Sequence, residues 1–342
     1  MKTILFLHNC SEYTCRYLFP LRLSEKFLRD SGYRIEFASF DKMISHAEAD
    51  WIIILHDCLE SVEPVIRQSV LIDCRSRCKT LVWLDTSDST GTTVFDVLPF
   101  VDIYLKKQLL RDYDLYQSQY YNLRCYSDYY HRTFGVDDEI VVTRTVLDPI
   151  YVHKLRVAWN ILVGDVYGNG CHHQNYVFTN PRLNRKYHVS FRGSQGYIPT
   201  VNYQRKLVRE ILARRTDIDK PKSEQRIPTH EYLEELRSSH SIISPFGWGE
   251  ICWRDAESWL CGSALIKPDM THLTTWPEIY IQGETYISLN WDLSNLDEVL
   301  DNLLFDSKHY IDIATQGQEN YKETLSVAGQ LSFAKHFISI LS

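Results

Sequence analysis

The hydrophobic positions of the N-terminal half come in short continuous runs, each followed by a stretch of helical period. Lys2–His8 reads as a strand, and Tyr17–Ser31 as an amphipathic helix that turns Leu18, Leu21, Phe27 and Leu28 inward and stops at Gly32. Further strands are predicted at Arg34–Ser39, Asp50–Leu55 and Lys79–Leu84, with a helix over Val62–Arg77 between the last two. After Pro99, Val101–Leu105 reads as a strand and Lys106–Asp112 as a basic helical stretch. Leu115–Phe134 is crowded with tyrosine and poorly patterned, Ile140–Thr145 reads as a strand, and Val152–Val163 as a helix. Apolar strands without alternation, separated by helices, predict a parallel sheet covered on both faces.

Gly164–Asn184 has no period and reads as an interdomain linker and cleft wall. The alternation then restarts. Lys186–Phe191 is a predicted strand ending in Arg192-Gly193-Ser194, and Asn202–Arg215 a helix with Leu207, Val208, Ile211 and Leu212 on one face. A helix capped by Thr229 leads to strand Ser241–Ser244 and the loop Pro245-Phe246-Gly247-Trp248-Gly249. Helix Arg254–Cys261, strands Ala264–Lys267 and Tyr286–Leu289, helix Leu296–Phe305 and an apolar helical tail complete the chain. The pattern predicts an α/β fold of two Rossmann-like domains facing across a cleft, residues 1–175 and 176–320, with the segment 321–342 packing back on the first.

Composition narrows the function classes. Hydrophobic residues at 44% and charged residues at 24% fit a water-soluble globular chain and exclude a disordered or collagen-like one. The formal charge of −7, with no cluster of Lys and Arg, argues against nucleic acid as the main partner. The nine cysteines are odd in number and scattered, which reads as reduced thiol in a cytoplasmic protein rather than a disulfide framework, and no spacing suits a zinc site. The first apolar run is too short for a signal peptide and no window approaches a membrane span, so the expected location is cytoplasmic, at most peripheral to a membrane.

Ligands of open parallel sheets lie beyond the carboxyl ends of the strands, so strand-end residues carry the candidate chemistry. In Ser244–Gly262 a strand end leads through a glycine-rich loop, with Gly249 and Glu250, into a helix N-terminus. Backbone N–H groups there can cradle a phosphate, Arg254 can add a bidentate contact, and Glu257, one turn on, can accept from two ribose hydroxyls.

This run resembles the nucleotide-sugar signature of GT-B glycosyltransferases, above all the exostosin-like family, in which an Arg stands three residues before a Glu on one helix. Arg254 and Glu257 hold that spacing, Cys261-Gly262-Ser263 resembles the turn that follows, and Phe191-Arg192-Gly193 resembles that family's Phe-Arg-Gly strand end. The likeness spans Lys186 to Asp292 and departs from the GT-B pattern in one respect: six residues, not seven, separate Glu250 from Glu257. It implies a nucleotide-diphospho-sugar held mostly by the second domain, with Arg192 near the diphosphate and Glu257 on the ribose; beside them Gly193 and Ser194 are candidate donor contacts, and Arg254 and Lys267 are the next candidates to offset the leaving-group charge. The first domain is then expected to bind the acceptor, a glycan or glycolipid.

Three further groups qualify. Asp85 and Asp88 follow a predicted strand, and an inverting transfer needs a base at the acceptor hydroxyl, although Asp at this place also caps turns. His8 ends the first strand, and His172-His173 sits in the linker as a candidate acceptor or cleft contact. Asp112-Tyr-Asp114 and Asp217-Ile-Asp219 follow no apolar strand, so neither suggests a metal and none is expected; no cofactor is expected beyond the donor itself. The expected activity is metal-independent, inverting glycosyl transfer. The alternatives are a nucleotide-sugar epimerase and a non-catalytic sugar-binding module of the same fold.

Overall fold

The computed structural model describes residues 1–40, 48–166, 177–194, 196–221 and 226–342. Six parallel strands form the first sheet: β1 (Lys2–His8), β2 (Tyr33–Ser39), β3 (Ala49–Leu55), β4 (Cys78–Asp85), β5 (Ile103–Lys106) and β7 (Leu155–Val157), in the order β2-β1-β3-β4-β5-β7. The run Trp-Ile-Ile-Ile-Leu of β3 pairs with β1 and β4, and Ile52, Ile53, Ile54 and Leu55 are buried on both faces of the sheet. That double burial is why the strand shows no polar alternation.

The second sheet holds β8 (Tyr187–Ser190), β9 (Ser239–Ile243), β10 (Ala264–Pro268) and β12 (Ile287–Leu289), all parallel, in the order β12-β10-β9-β8. A short antiparallel ladder joins the two halves, pairing β6 (Gln108–Leu110) with β11 (Leu273–Thr275).

Several sequence expectations are corrected. The segment Tyr17–Ser31 is not one helix. The chain forms α1 (Glu12–Tyr17), α2 (Phe19–Leu23) and α3 (Glu25–Asp30), with Pro20 in the first turn of α2, where its missing N–H costs nothing. Lys106–Asp112 is not helical: Lys106 ends β5, and Lys106 and Lys107 are both buried, each paired with an aspartate. Ile140–Thr145 forms no strand, and Ile140, Val141 and Val142 are exposed. Val152–Val163 breaks into a 3-10 turn, β7 and a second turn. After α4 (Pro64–Arg75), the tyrosine-rich stretch supplies a helix the pattern hid, α5 (Cys125–Phe134), with Tyr126 and Tyr130 buried and Gly135 closing it at φ 63°.

The last helices, α9 (Leu296–Phe305), α10 (Ser307–Leu325) and α11 (Val327–Ile340), run from the second domain back to the first. Phe337 stacks on Phe6 of β1 at 5.9 Å between ring centroids and stands edge-on to Trp159, and Ser24 Oγ donates to the Gln330 carbonyl at 3.1 Å. Phe337 is fully buried. Phe337→Ala should therefore cost about 3–5 kcal/mol of stability, the range for removing a buried ring, as read by chemical denaturation.

Candidate active site

The carboxyl ends of the second sheet open onto a cleft of about 970 Å³, which Tyr13, Asp88 and Ile161 of the first domain close from the opposite side. Its floor is shaped by α8 (Trp253–Leu260) and by the loop that enters it. Cys252 caps the helix, and its own N–H donates to Asp255 Oδ2 at 3.0 Å. Asp255 also accepts from Ser244 Oγ (2.6 Å), Tyr280 Oη (2.6 Å) and Lys267 Nζ (3.0 Å), and it is fully buried. One carboxylate thus ties the strand end, the helix and the next strand together.

Of the residues expected to bind the donor, Arg192, Gly193, Ser194, Gly249, Arg254 and Glu257 line this cleft. Glu257 accepts from Tyr232 Oη at 2.7 Å, Tyr232 being carried on α7 (Thr229–Arg237). Burial pushes the Glu257 carboxyl above the ordinary glutamate value, with the Tyr232 hydrogen bond and the Arg254 charge acting against it. Arg254 donates from Nη2 to the Arg192 carbonyl, and its buried Nε meets no partner among the described residues.

Arg192 lines the cleft with its charge already matched. Its Nε lies 2.9 Å and 3.0 Å from the two oxygens of Glu235, and Nη2 lies 2.6 Å from Oε2. Pattern reasoning missed Arg205, on α6 (Pro199–Arg214). It is only 4% exposed, stacks over Tyr197 at 4.3 Å, donates from Nε to the Phe246 carbonyl at 3.3 Å and also lines the cleft. On the sequence it read as one more polar position of an amphipathic helix.

Glu250 and Lys267 are not among the described residues lining the cleft, because both are spent on structure. Glu250 is fully buried between the domains, accepting from Ser89 Oγ (3.0 Å), the Thr90 amide (3.0 Å) and Thr90 Oγ1 (2.6 Å), with His272 Nε2 at 3.9 Å. Lys267 is the buried partner of Asp255. Beside Glu250, the Gly249 backbone packs so tightly against the first domain that a Cβ there would overlap the Asp88 carbonyl.

The two aspartates separate. Asp85 is fully buried, holding Lys106 at 3.1 Å, accepting from Tyr104 Oη and closing a turn with the Ser87 amide at 2.8 Å. Asp88 is half exposed and accepts from Lys107 Nζ at 2.8 Å. Against the penalty of burial, the Lys107 charge and hydrogen bond hold the Asp88 carboxyl below its ordinary value, so it stays ionised. Asp88, Tyr13 and Trp248 also line a second cavity of about 680 Å³, walled mostly by the first domain, with Asp57, Thr86, Ser87 and Thr143 among its residues. His8 is buried, its Nδ1 accepting from the Cys10 amide at 3.1 Å, and lies in neither lining among the described residues. His172 and His173 lie outside the described residues.

No family model matches the chain, and no curated protein matches it by sequence. Solved structures do match in fold. An alpha-glucosyltransferase (AGT) in complex with UDP aligns over all of both chains at 11% identity with a TM-score of 0.50. Anabaena HepE in complex with UDP-glucose aligns over 99% of this chain and 100% of its own, at 11% identity and 0.49. The spinosyn forosaminyltransferase SpnP aligns over all of both chains at 10% identity and 0.41. The fold is GT-B: two Rossmann-like domains facing across a cleft.

The Glu250 contacts carry their own test. Burial acts to raise this carboxyl, the nearby His272 and the hydrogen bonds from Thr90 outweigh it, and the result is a drop from 4.5 to about 2. A lowered carboxyl contributes stability that is present above 4.5 and is lost as the pH falls through about 2. Glu250→Gln should cost about 1–3 kcal/mol at neutral pH, by leaving buried donors poorly matched, and should flatten that acid limb in a denaturation series.

Proposed function

We propose that this protein is a glycosyltransferase that takes a sugar from a nucleotide-diphospho-sugar in the interdomain cleft and passes it to an acceptor held on the first domain. The carrying observation is the polarity of the cleft. In a chain of net charge −7 it gathers Arg192, Arg205, Arg226 and Arg254, with Glu257 as the one carboxylate on its second-domain wall among the described residues. Guanidinium groups beside strand-end glycines suit a diphosphate, and a buried carboxylate one helical turn from Arg254 suits the two hydroxyls of a ribose. UDP accompanies the AGT structure that shares the fold, and the Arg254–Glu257 spacing carries the exostosin-like resemblance.

In this reading Asp88 takes the proton of the attacking acceptor hydroxyl, which inverts the sugar carbon. It stands where the two cavities meet, and Lys107 keeps it ionised. The charge that grows on the leaving diphosphate is offset by arginine, with no metal and no further cofactor. A polyhydroxylated glycan or glycolipid suits the second cavity, whose walls mix carboxylates, hydroxyls and arginines with Trp248.

Calorimetry with nucleoside diphosphates, followed by donor turnover with and without EDTA, tests the assignment. Binding and transfer that survive EDTA are expected; binding without turnover of any donor makes the protein a sugar-nucleotide-binding module instead.

Two variants refine it. Because burial raises the Glu257 carboxyl, the fold favours its neutral form: that stability is full below 4.5 and is lost as the pH rises through the higher folded value. Glu257→Gln should thus leave the melting temperature at pH 7 unchanged or higher, while weakening nucleoside-diphosphate binding by about 1.5–3 kcal/mol. Asp88→Asn should lower transfer about 10²–10⁴-fold with donor binding intact. Asp85→Asn should instead lose fold stability, because it strips Lys106 of its buried counter-charge. Transfer assays and melting curves on both aspartate variants distinguish the two roles.

A further inference from the structure

Arg192, the strand-end arginine that the family resemblance places on the diphosphate, is bound by Glu235 through both Nε and Nη2. Glu235 is itself 8% exposed at its side chain and also accepts from Ser190 Oγ at 2.8 Å. A guanidinium closed by a buried carboxylate has little charge left for a ligand, and exchanging that partner for a phosphate would strand Glu235.

Arg205 is placed in the opposite way. It faces no carboxylate within ion-pair reach among the described residues, and its one described hydrogen bond is from Nε to the Phe246 carbonyl. Its two terminal nitrogens reach the two strand-end loops. A Cβ on Gly193 would come 3.3 Å from Nη1, and a Cβ on Gly247 would come 3.3 Å from Nη2. Gly193 and Gly247 therefore stand beside the guanidinium fork at the mouths of β8 and β9, in the wall of the cleft. Arg254, with its buried Nε unpartnered, is near enough for its charge to act on that of Arg205. Arg205 is thus a buried arginine that feels the charge of Arg254 and has no carboxylate of its own among the described residues, an arrangement that is costly unless an anion completes the set.

We infer that Arg205, together with Arg254, is the clamp for the two phosphates of a nucleoside diphosphate, and that Arg192 is a positioning residue locked to Glu235. This rests on the nucleotide-sugar reading of the cleft. It names a different cation for the diphosphate from the one the strand-end motif suggests, and it gives Gly247 a reason: a side chain there would press on the fork, whereas one at Gly193 would meet the Phe191 ring first. Gln204, the neighbour of Arg205 on α6, accepts from the Phe246 amide at 3.0 Å, so that one helix turn holds the Phe246 peptide at both its N–H and its C=O and fixes where the guanidinium sits.

The test must separate a phosphate contact from this structural one. Calorimetry with uridine, UMP, UDP, GDP and inorganic pyrophosphate is run on the wild type and on Arg205→Gln, with melting curves alongside. The expected result is a loss of at least tenfold for UDP or GDP and for pyrophosphate, with uridine unchanged. An equal loss for uridine and UDP, or an unchanged UDP affinity, overturns the clamp and leaves Arg205 a scaffold residue. Should Arg205→Gln not fold, Arg205→Lys carries the same comparison: the ammonium keeps the charge but lacks the fork, and about a tenfold loss confined to the phosphorylated ligands is expected. If the wild type binds pyrophosphate through Arg205 but no nucleotide, the clamp stands and the nucleotide-sugar reading falls. If it binds neither, both fall.

Discussion

Burying the Glu250 carboxylate strips a full charge of its water, and the fold recovers that cost only because the first domain brings three donors to it from Ser89 and Thr90. Among the described residues these are its hydrogen-bond donors, and so the loop after β4 meets the loop after β9. The neighbouring contact of Gly249 with the Asp88 backbone follows from the same approach, and it is possible only with no side chain at 249. The cleft is what remains between the two sheets once this joint is closed. Asp88 stands in one wall of it because Glu250 draws its loop in, beside Tyr13 of α1.

Each domain then shapes its own strand-end loop around a fully buried aspartate–lysine pair. In the first, Asp85 at the end of β4 holds Lys106 at the end of β5, and the Tyr104 hydroxyl and the Ser87 amide take up its remaining capacity. In the second, Asp255 of α8 holds Lys267 of β10, with Ser244, Tyr280 and the Cys252 amide as further donors. Buried pairs of this kind add little net stability, yet breaking one leaves a naked charge in the core. Their value lies in geometry: they fix where the flanking residues, Asp88 on one side and Arg254 with Glu257 on the other, present themselves to the cleft.

The strands were legible wherever both faces are buried, since runs such as Ile52–Leu55 and Ala264–Ile266 admit no polar residue at all. Lys106 and Lys107 misled because pattern reasoning places lysine in water, and nothing local announces that Asp85 and Asp88 wait to receive them. Ile140–Thr145 failed for the opposite reason: a β-branched run has strand propensity but needs an edge to pair with, and the sheet ends at β7. In the site, Arg254 and Glu257 could be read because helix spacing alone puts them on one face. The pairing of Arg192 with Glu235 could not, nor the reach of Arg205 to the loops at Gly193 and Gly247, because sequence gives the charge of a residue but not who neutralises it.

That distinction decides where function can reside in a chain with 37 cationic and 44 acidic residues. Among the described residues, several buried charges are closed within the fold: Asp85 by Lys106, Asp255 by Lys267, Glu235 by Arg192, and Lys107 by Asp88. Such pairs consume the electrostatic work that burial demands and leave nothing to attract a ligand. Arg205 breaks the pattern, as a buried cation on the cleft wall whose described neighbours are a carbonyl, an aromatic ring and the charge of Arg254. Against a small net stability such a deficit is a cost, and an anion drawn in from solvent at this position would offset it.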